Sequence, residues 1–151
     1  TDSAGQPLPY EAAVRAHGAV VAHVDGSGRP GRFSTLAKTP HGAAAHDYVL
    51  GPHPLLLDAN AFDLYFFAAL PPLRSQFSII EPRSGAQATF RFDERGQESI
   101  RIGRGTVNAR HFALITDSGA SRDIWLDAQG RLLRVAIPAQ GLVAQRDELP
   151  R

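Results

Sequence analysis

Six histidines and fifteen carboxylates are the residues of this chain from which proton transfer or metal chemistry could be built. His41, His46 and His53 lie close in sequence to Asp47 and Asp58, a mixed imidazole and carboxylate set of the kind that holds divalent metals. No H-x-x-x-H stands on a helical pattern, however, and Gly42, Gly51, Pro52 and Pro54 break the local geometry, so solvated loop histidines are expected and no metal site is assigned. His46 or His111 with a nearby carboxylate could serve a hydrolase, yet there is no G-x-S-x-G elbow to present a strained serine. The carboxylate pairs Asp58 with Asp63 and Asp123 with Asp127 read as helix-capping and turn residues rather than as a glycosidase pair. Gly103 and Gly105 give G-x-G without a third glycine opening a helix, and no P-loop exists, which disfavours nucleotide binding.

The aromatic residues carry a more specific message. Phe62, Tyr65, Phe66 and Phe67 crowd four rings into six positions, and the lone tryptophan, Trp125, stands between Ile124 and Leu126 in a run apolar on both strand faces. A sheet with large apolar groups on both faces can pack its core with one and meet a helix or an apolar hollow with the other. Phe62, Tyr65, Phe66 and Trp125 are therefore the candidate ligand-contacting residues. No catalytic residue and no cofactor is assigned.

The elements that must position these side chains are mostly strands. Apolar runs recur at Asn108 to Thr116, Ser121 to Asp127, Arg131 to Pro138 and Leu142 to Arg146, the cadence of an antiparallel meander. Asp127-Ala128-Gln129-Gly130 places a glycine where a hairpin loop needs a left-handed residue. Upstream, Tyr10 to Ala16 and Ala19 to Val24 are short apolar runs separated by His17-Gly18, and strands are expected at Arg32 to Thr39, Ala43 to Leu50 and Pro54 to Asp58. Asp25 to Gly31 reads as a loop, having four special-backbone residues in seven. Further strands at Gln76 to Glu81, Gln87 to Phe92, Glu98 to Ile102 and Thr106 to Thr116 are divided by turn signals, one of them Asp93-Glu94-Arg95-Gly96. A single helix is expected in the stretch Asp58 to Leu70, capped by Asp58 or Asn60 and stopped by Pro71-Pro72. At helical spacing Phe62, Tyr65, Phe66 and Ala69 share one side, and a helix apolar all round should be enclosed.

Length and composition bound the fold. At 151 residues the chain fits one domain, expected at 10–151 after a flexible lead-in at 1–9, and folding should hide roughly two-thirds of its unfolded surface. No apolar run approaches the roughly 20 residues of a membrane-crossing helix, so the chain is not expected to span a bilayer. Of sixteen basic residues all but Lys38 are arginine, scattered singly among carboxylates to a net charge of +1. That pattern lacks the one-faced basic stripe that neutralises phosphates, and nucleic acid is not an expected partner. Cysteine is absent, which removes disulfides and thiolate chemistry. Methionine is absent too, and the polar opening Thr1 to Pro7 suggests a start inside a longer product, after a cleaved leader or tether. The fold class expected is mainly β: a curved antiparallel sheet or half-barrel, a meander wrapping one short apolar helix.

The tract Leu57 to Tyr65, an L-D-x-N-x-F element, followed at a distance by Trp125-Leu126-Asp127-Ala128-Gln129-Gly130-Arg131-Leu132-Leu133-Arg134, a W-x-D-x-x-G-R-L-x-R meander end, resembles uncharacterised bacterial proteins of unknown-function families. In outline these are similar to envelope β-sheet proteins of the lipoprotein-localisation type, whose carriers are longer by a strand or two. The resemblance implies a periplasmic or cell-envelope location and contact with lipid, and it brings no catalytic residue. The expectation is thus a non-enzymatic bacterial envelope protein that meets lipid or another apolar small molecule through its sheet and helix. Two alternatives stand beside it: an interaction module of a larger secreted protein, pairing an open sheet edge with a partner or a second copy, and a His/carboxylate hydrolase.

Overall fold

A computed structural model describes residues 9–58, 61–69 and 75–150. Most of the expected lead-in, residues 1–8, lies outside the described residues, as do Asn60 and the Pro71-Pro72 stop. The fold is mainly β, as the strand cadence predicted. Among the described residues eleven strands form two sheets: β1 (Tyr10–Ala16), β2 (Ala19–Arg29), β3 (Arg32–Thr39) and β4 (Gly42–Val49) in one, and β5 (Pro54–Leu56), β6 (Gln76–Glu81), β7 (Ala86–Ile102), β8 (Gly105–Thr116), β9 (Ser121–Leu126), β10 (Leu132–Ile137) and β11 (Leu142–Gln145) in the other. The first is a plain meander in the order β1-β2-β3-β4. The second runs β11-β10-β9-β8-β7-β6-β5 and curls as a half-barrel, antiparallel where β7 to β11 follow one another, with β5 alongside β6 in parallel.

The chain divides into two compact units, Thr1–Asp58 with Ser78–Ala88, and Ala59–Phe77 with Thr89–Arg151. In the first, Phe33, Tyr48 and Ile80 form a buried cluster against which Tyr10, Leu50 and Leu56 pack. The expected loop Asp25 to Gly31 is here mostly strand, because β2 continues to Arg29 and pairs with β3 from His23 to Arg29. Its glycines make room for an aromatic ring: a Cβ on Gly26 would stand 2.6 Å from the tip of Phe33. The β1–β2 hairpin turns on His17 and Gly18, both at positive φ, as a tight two-residue turn requires. Buried Asp58 closes the unit by accepting hydrogen bonds from Arg83 Nη1 at 3.2 Å and from the Tyr10 hydroxyl at 3.4 Å.

The second unit holds the helix and the meander. Two D-x-x-G tetrads behave differently there. At Asp127 the carboxylate accepts the amides of Gln129 (2.9 Å) and Arg131 (2.8 Å), Gly130 takes φ +78°, and the β9–β10 hairpin closes as expected. At Asp93 the carboxylate is instead held by the Arg91 guanidinium on its own strand, at 2.7 and 3.0 Å. The chain does not turn: β7 runs unbroken for 17 residues, and Gly96 at φ +106° becomes a bulge in its pairing with β8. The partner strand decides this, since β8 has no glycine or proline after Gly105 and keeps β7 paired across the tetrad.

The expected helix also differs in a way that has consequences. Phe62–Ala69 is a 3-10 helix, and the amide of Leu64 reaches the carbonyl of Ala61 at 3.1 Å. With three residues per turn, positions i and i+3 eclipse. The inward row is therefore Phe62, Tyr65 and Ala68, and Phe66 is not on it. Tyr65 and Ala68 are fully buried, while Phe66 and Phe67 are 39% and 44% exposed. A helix expected to be enclosed all round thus keeps two rings in water.

Candidate functional site

Successive residues of β9 point to opposite faces, and Ile124, Trp125 and Leu126 are all buried. Both faces of this part of the sheet therefore carry packed apolar groups, as the sequence implied. On the face of Ile124 and Phe112, Phe112 stacks on Phe92 at 4.8 Å, and Phe77 meets Phe92 edge-on at 5.9 Å. Tyr65 of the 3-10 helix belongs to this side: its hydroxyl accepts a hydrogen bond from Arg122 Nη1 at 3.0 Å, and that guanidinium lies 5.0 Å over Phe90. Trp125, 6% exposed, belongs to the other face and to a cluster with Ile100, Ile102, Ala109, Leu133 and Ala136.

Register builds a row of flat groups around Trp125. His111 of β8 and Arg134 of β10 are its direct cross-strand neighbours. The His111 ring stacks on the indole at 4.4 Å and 9°, and the Arg134 guanidinium lies 4.6 Å over it from the next strand. The indole N–H donates to Glu98 at 2.8 Å. His111 has a carboxylate at each ring nitrogen, Asp123 2.9 Å from Nε2 and Glu98 3.7 Å from Nδ1. A general base needs a lone pair aimed at substrate; both nitrogens of His111 face acids instead, so the arrangement positions Trp125 better than it serves proton transfer. His46, the other histidine weighed for hydrolysis, stacks with Tyr48 at 6.3 Å, and Asp47 beside it accepts a hydrogen bond from Ser34. Among the described residues no group of three or more histidines and carboxylates is placed to hold a metal ion.

Beside the 3-10 helix, which packs on β10, lies a groove of about 200 Å³. Phe62, Leu132, Val135 and Ala144 give it apolar walls, and Arg134 and Arg146 also line it. Of the four candidate residues, Phe62 lines this groove, Phe66 stands exposed in edge-to-face contact with Phe67 at 5.9 Å, and Tyr65 and Trp125 are buried in the packing on either face of the sheet. Arg134 and Glu98 are not singled out by the sequence, and Asp123 reads there only as half of a carboxylate pair at a strand end and turn. Their signal was the alignment of residues 111, 125 and 134 across three strands, which becomes visible only once hairpin lengths and bulges fix the register.

The turn acid Asp127 has a displaced pKa with a clear cause. Burial pushes the Asp127 carboxyl up, but the amides of Arg131 and Gln129 and the Arg131 side chain, 2.6 Å away, outweigh it and hold the group below the ordinary carboxylate range.

A family model described as a domain of unknown function, DUF6134, matches residues 51–145. The chain belongs to the DUF6134 family. Within this DUF6134 protein the matched span runs from just before β5 to the last residue of β11, so it takes in every strand of the seven-stranded sheet, the Trp125 row and all of the groove lining but Arg146. Strands β1 to β4 lie before it. No curated protein and no solved structure matches the chain. Among the described residues of the DUF6134 protein, no helix is long and apolar enough to cross a membrane.

Proposed function

We propose that this protein is a non-catalytic binding protein of the bacterial cell envelope or periplasm, which meets the apolar part of a lipid or another small molecule through the groove beside its 3-10 helix. The observation that carries the reading is the pairing of that groove with rings left in water: Phe62 lines it, and Phe66 and Phe67, on the same helix, are exposed. Burying such rings is the most favourable thing this surface can do, at roughly 25 cal/mol per Å² of apolar area removed from water. The size sets a bound. An apolar cavity of about 150 Å³ holds benzene, and drug-sized ligands need roughly 300–1,000 Å³, so about 200 Å³ suits a short alkyl segment or one ring. The envelope location rests on the resemblance in outline to lipoprotein-localisation proteins.

Displacement of a fluorescent fatty acid tests the reading. Saturable binding that weakens severalfold in Phe62→Ala is expected, and the absence of saturable binding would remove it. A second reading, pairing of an open edge with another copy, has its own observation. β4 is an edge strand with seven of eight residues exposed, and Asp47 is its only charged side chain in Gly42–Val49. Light scattering across concentration decides it: a dimer that Ala45→Lys abolishes supports edge pairing, and a monomer at every concentration ends it.

A further inference from the structure

The charge around the groove specifies the head group of its occupant. Its lining contains two cations, Arg134 and Arg146, against one carboxylate, Asp63, a formal excess of +1 (two minus one). Arg146 is fixed in place by its own backbone neighbours: its amide donates to the Leu133 carbonyl at 3.0 Å and its Nε to the Leu132 carbonyl at 2.6 Å. That leaves the outer guanidinium nitrogens of an exposed side chain available at the groove. Arg134 is held over Trp125, its Nε is buried without a hydrogen-bond partner, and among the described residues it has no carboxylate to pair with. A cation with no acid beside it favours an anionic visitor, and planar guanidinium donors match a carboxylate.

Building on the apolar-contact reading, we infer that the groove selects an alkyl carboxylate, a short fatty acid whose chain lies along Phe62, Leu132 and Val135 and whose carboxylate meets Arg146 in the field of Arg134. The volume of about 200 Å³ favours a short chain over a whole lipid, and a neutral or cationic head would leave the arginines uncompensated.

The test titrates the full chain with octanoate, octan-1-ol and octyltrimethylammonium at one ionic strength, following Trp125 emission and, independently, the heat of binding. Octanoate is expected to bind at least about tenfold more tightly than the alcohol, a difference of about 1.4 kcal/mol, with the cation weakest. Arg146→Gln should lower octanoate affinity to near that of the alcohol, so that the two probes no longer differ; Arg134→Gln, checked for native circular dichroism, should act in the same direction. Equal affinity for octanoate and octanol would overturn the carboxylate assignment while leaving apolar contact intact. Failure of all three probes to bind would overturn the apolar-contact reading itself, and octanoate selectivity that survives Arg146→Gln would show that the head group is read elsewhere.

Discussion

The four-stranded and seven-stranded sheets are both chains of short hairpins, but they use their faces differently. In β1 to β4 the buried side chains are Val24, Phe33, Thr35 and Tyr48, while Val20, Val21, Leu36 and Val49 are left in water. That is the ordinary antiparallel sheet with one wet side. In β9 three consecutive residues are buried, and two separate apolar packings occupy the two faces of the curl. The DUF6134 match covers the double-faced sheet and omits the single-faced one. The matched span holds every residue that lines the groove except Arg146, and the contrast in faces makes the two sheets respond differently to mutation.

The largest contrast should come from Trp125→Ala, which empties one face of the double-faced sheet. A loss of about 3–5 kcal/mol is expected in urea unfolding followed by far-ultraviolet circular dichroism. A loss below about 1 kcal/mol would mean that the Trp125 side is not a core at all. An intermediate effect should follow Asp127→Asn, about 2 kcal/mol at neutral pH, from the loss of charge-assisted bonds to the Gln129 and Arg131 amides. Because the folded carboxyl titrates below its unfolded value, its stabilisation is complete above the ordinary carboxylate range and disappears as pH falls through the folded pKa. Thermal melts of the variant should therefore lose less on acidification than those of the parent. Asp93→Asn sharpens the point: Asp93 is also lowered, chiefly by its hydrogen bond with Arg91, but it closes no turn, so its variant should unfold close to the parent at neutral pH. The smallest effect belongs to the wet side of the single-faced sheet, where Leu36→Ser should stay within about 0.5 kcal/mol. A larger loss there would erase the distinction between the sheets.

Alternation and turn chemistry made most strands legible, including β3 and β6 to the residue, and the apolar run Tyr10 to Ala16 coincides with β1. Two failures have physical causes. Gly26 and Gly28 resembled a loop because a glycine that admits the Phe33 ring cannot be told from one that turns the chain without knowing what lies opposite. Gly96 resembled a turn because whether a D-x-x-G tetrad folds back depends on which donors reach its aspartate: backbone amides at Asp127, a same-strand arginine at Asp93. The helix was placed correctly, but its period was taken as 3.6. The shift to 3 exchanged Ala68 for Phe66 on the buried row and left Phe66 outside. At the site, the aromatic residues were recognisable from type alone. The arginines beside the groove were not, because Arg134 and Arg146 look like any others among fifteen until strand register brings one against Trp125 and the other against the end of β10.

The two compact units are interleaved along the polypeptide: it passes from one to the other at Ala59, returns at Ser78 and leaves again at Thr89. No single excision can release either as an uninterrupted fragment. A gene truncated to residues 59–151 would still encode 78–88 stripped of its companions, and one ending at Asp58 would lack the segment that supplies Ile80 to the Phe33 and Tyr48 cluster. Cutting the polypeptide at one point therefore cannot separate the two units, whichever end is kept.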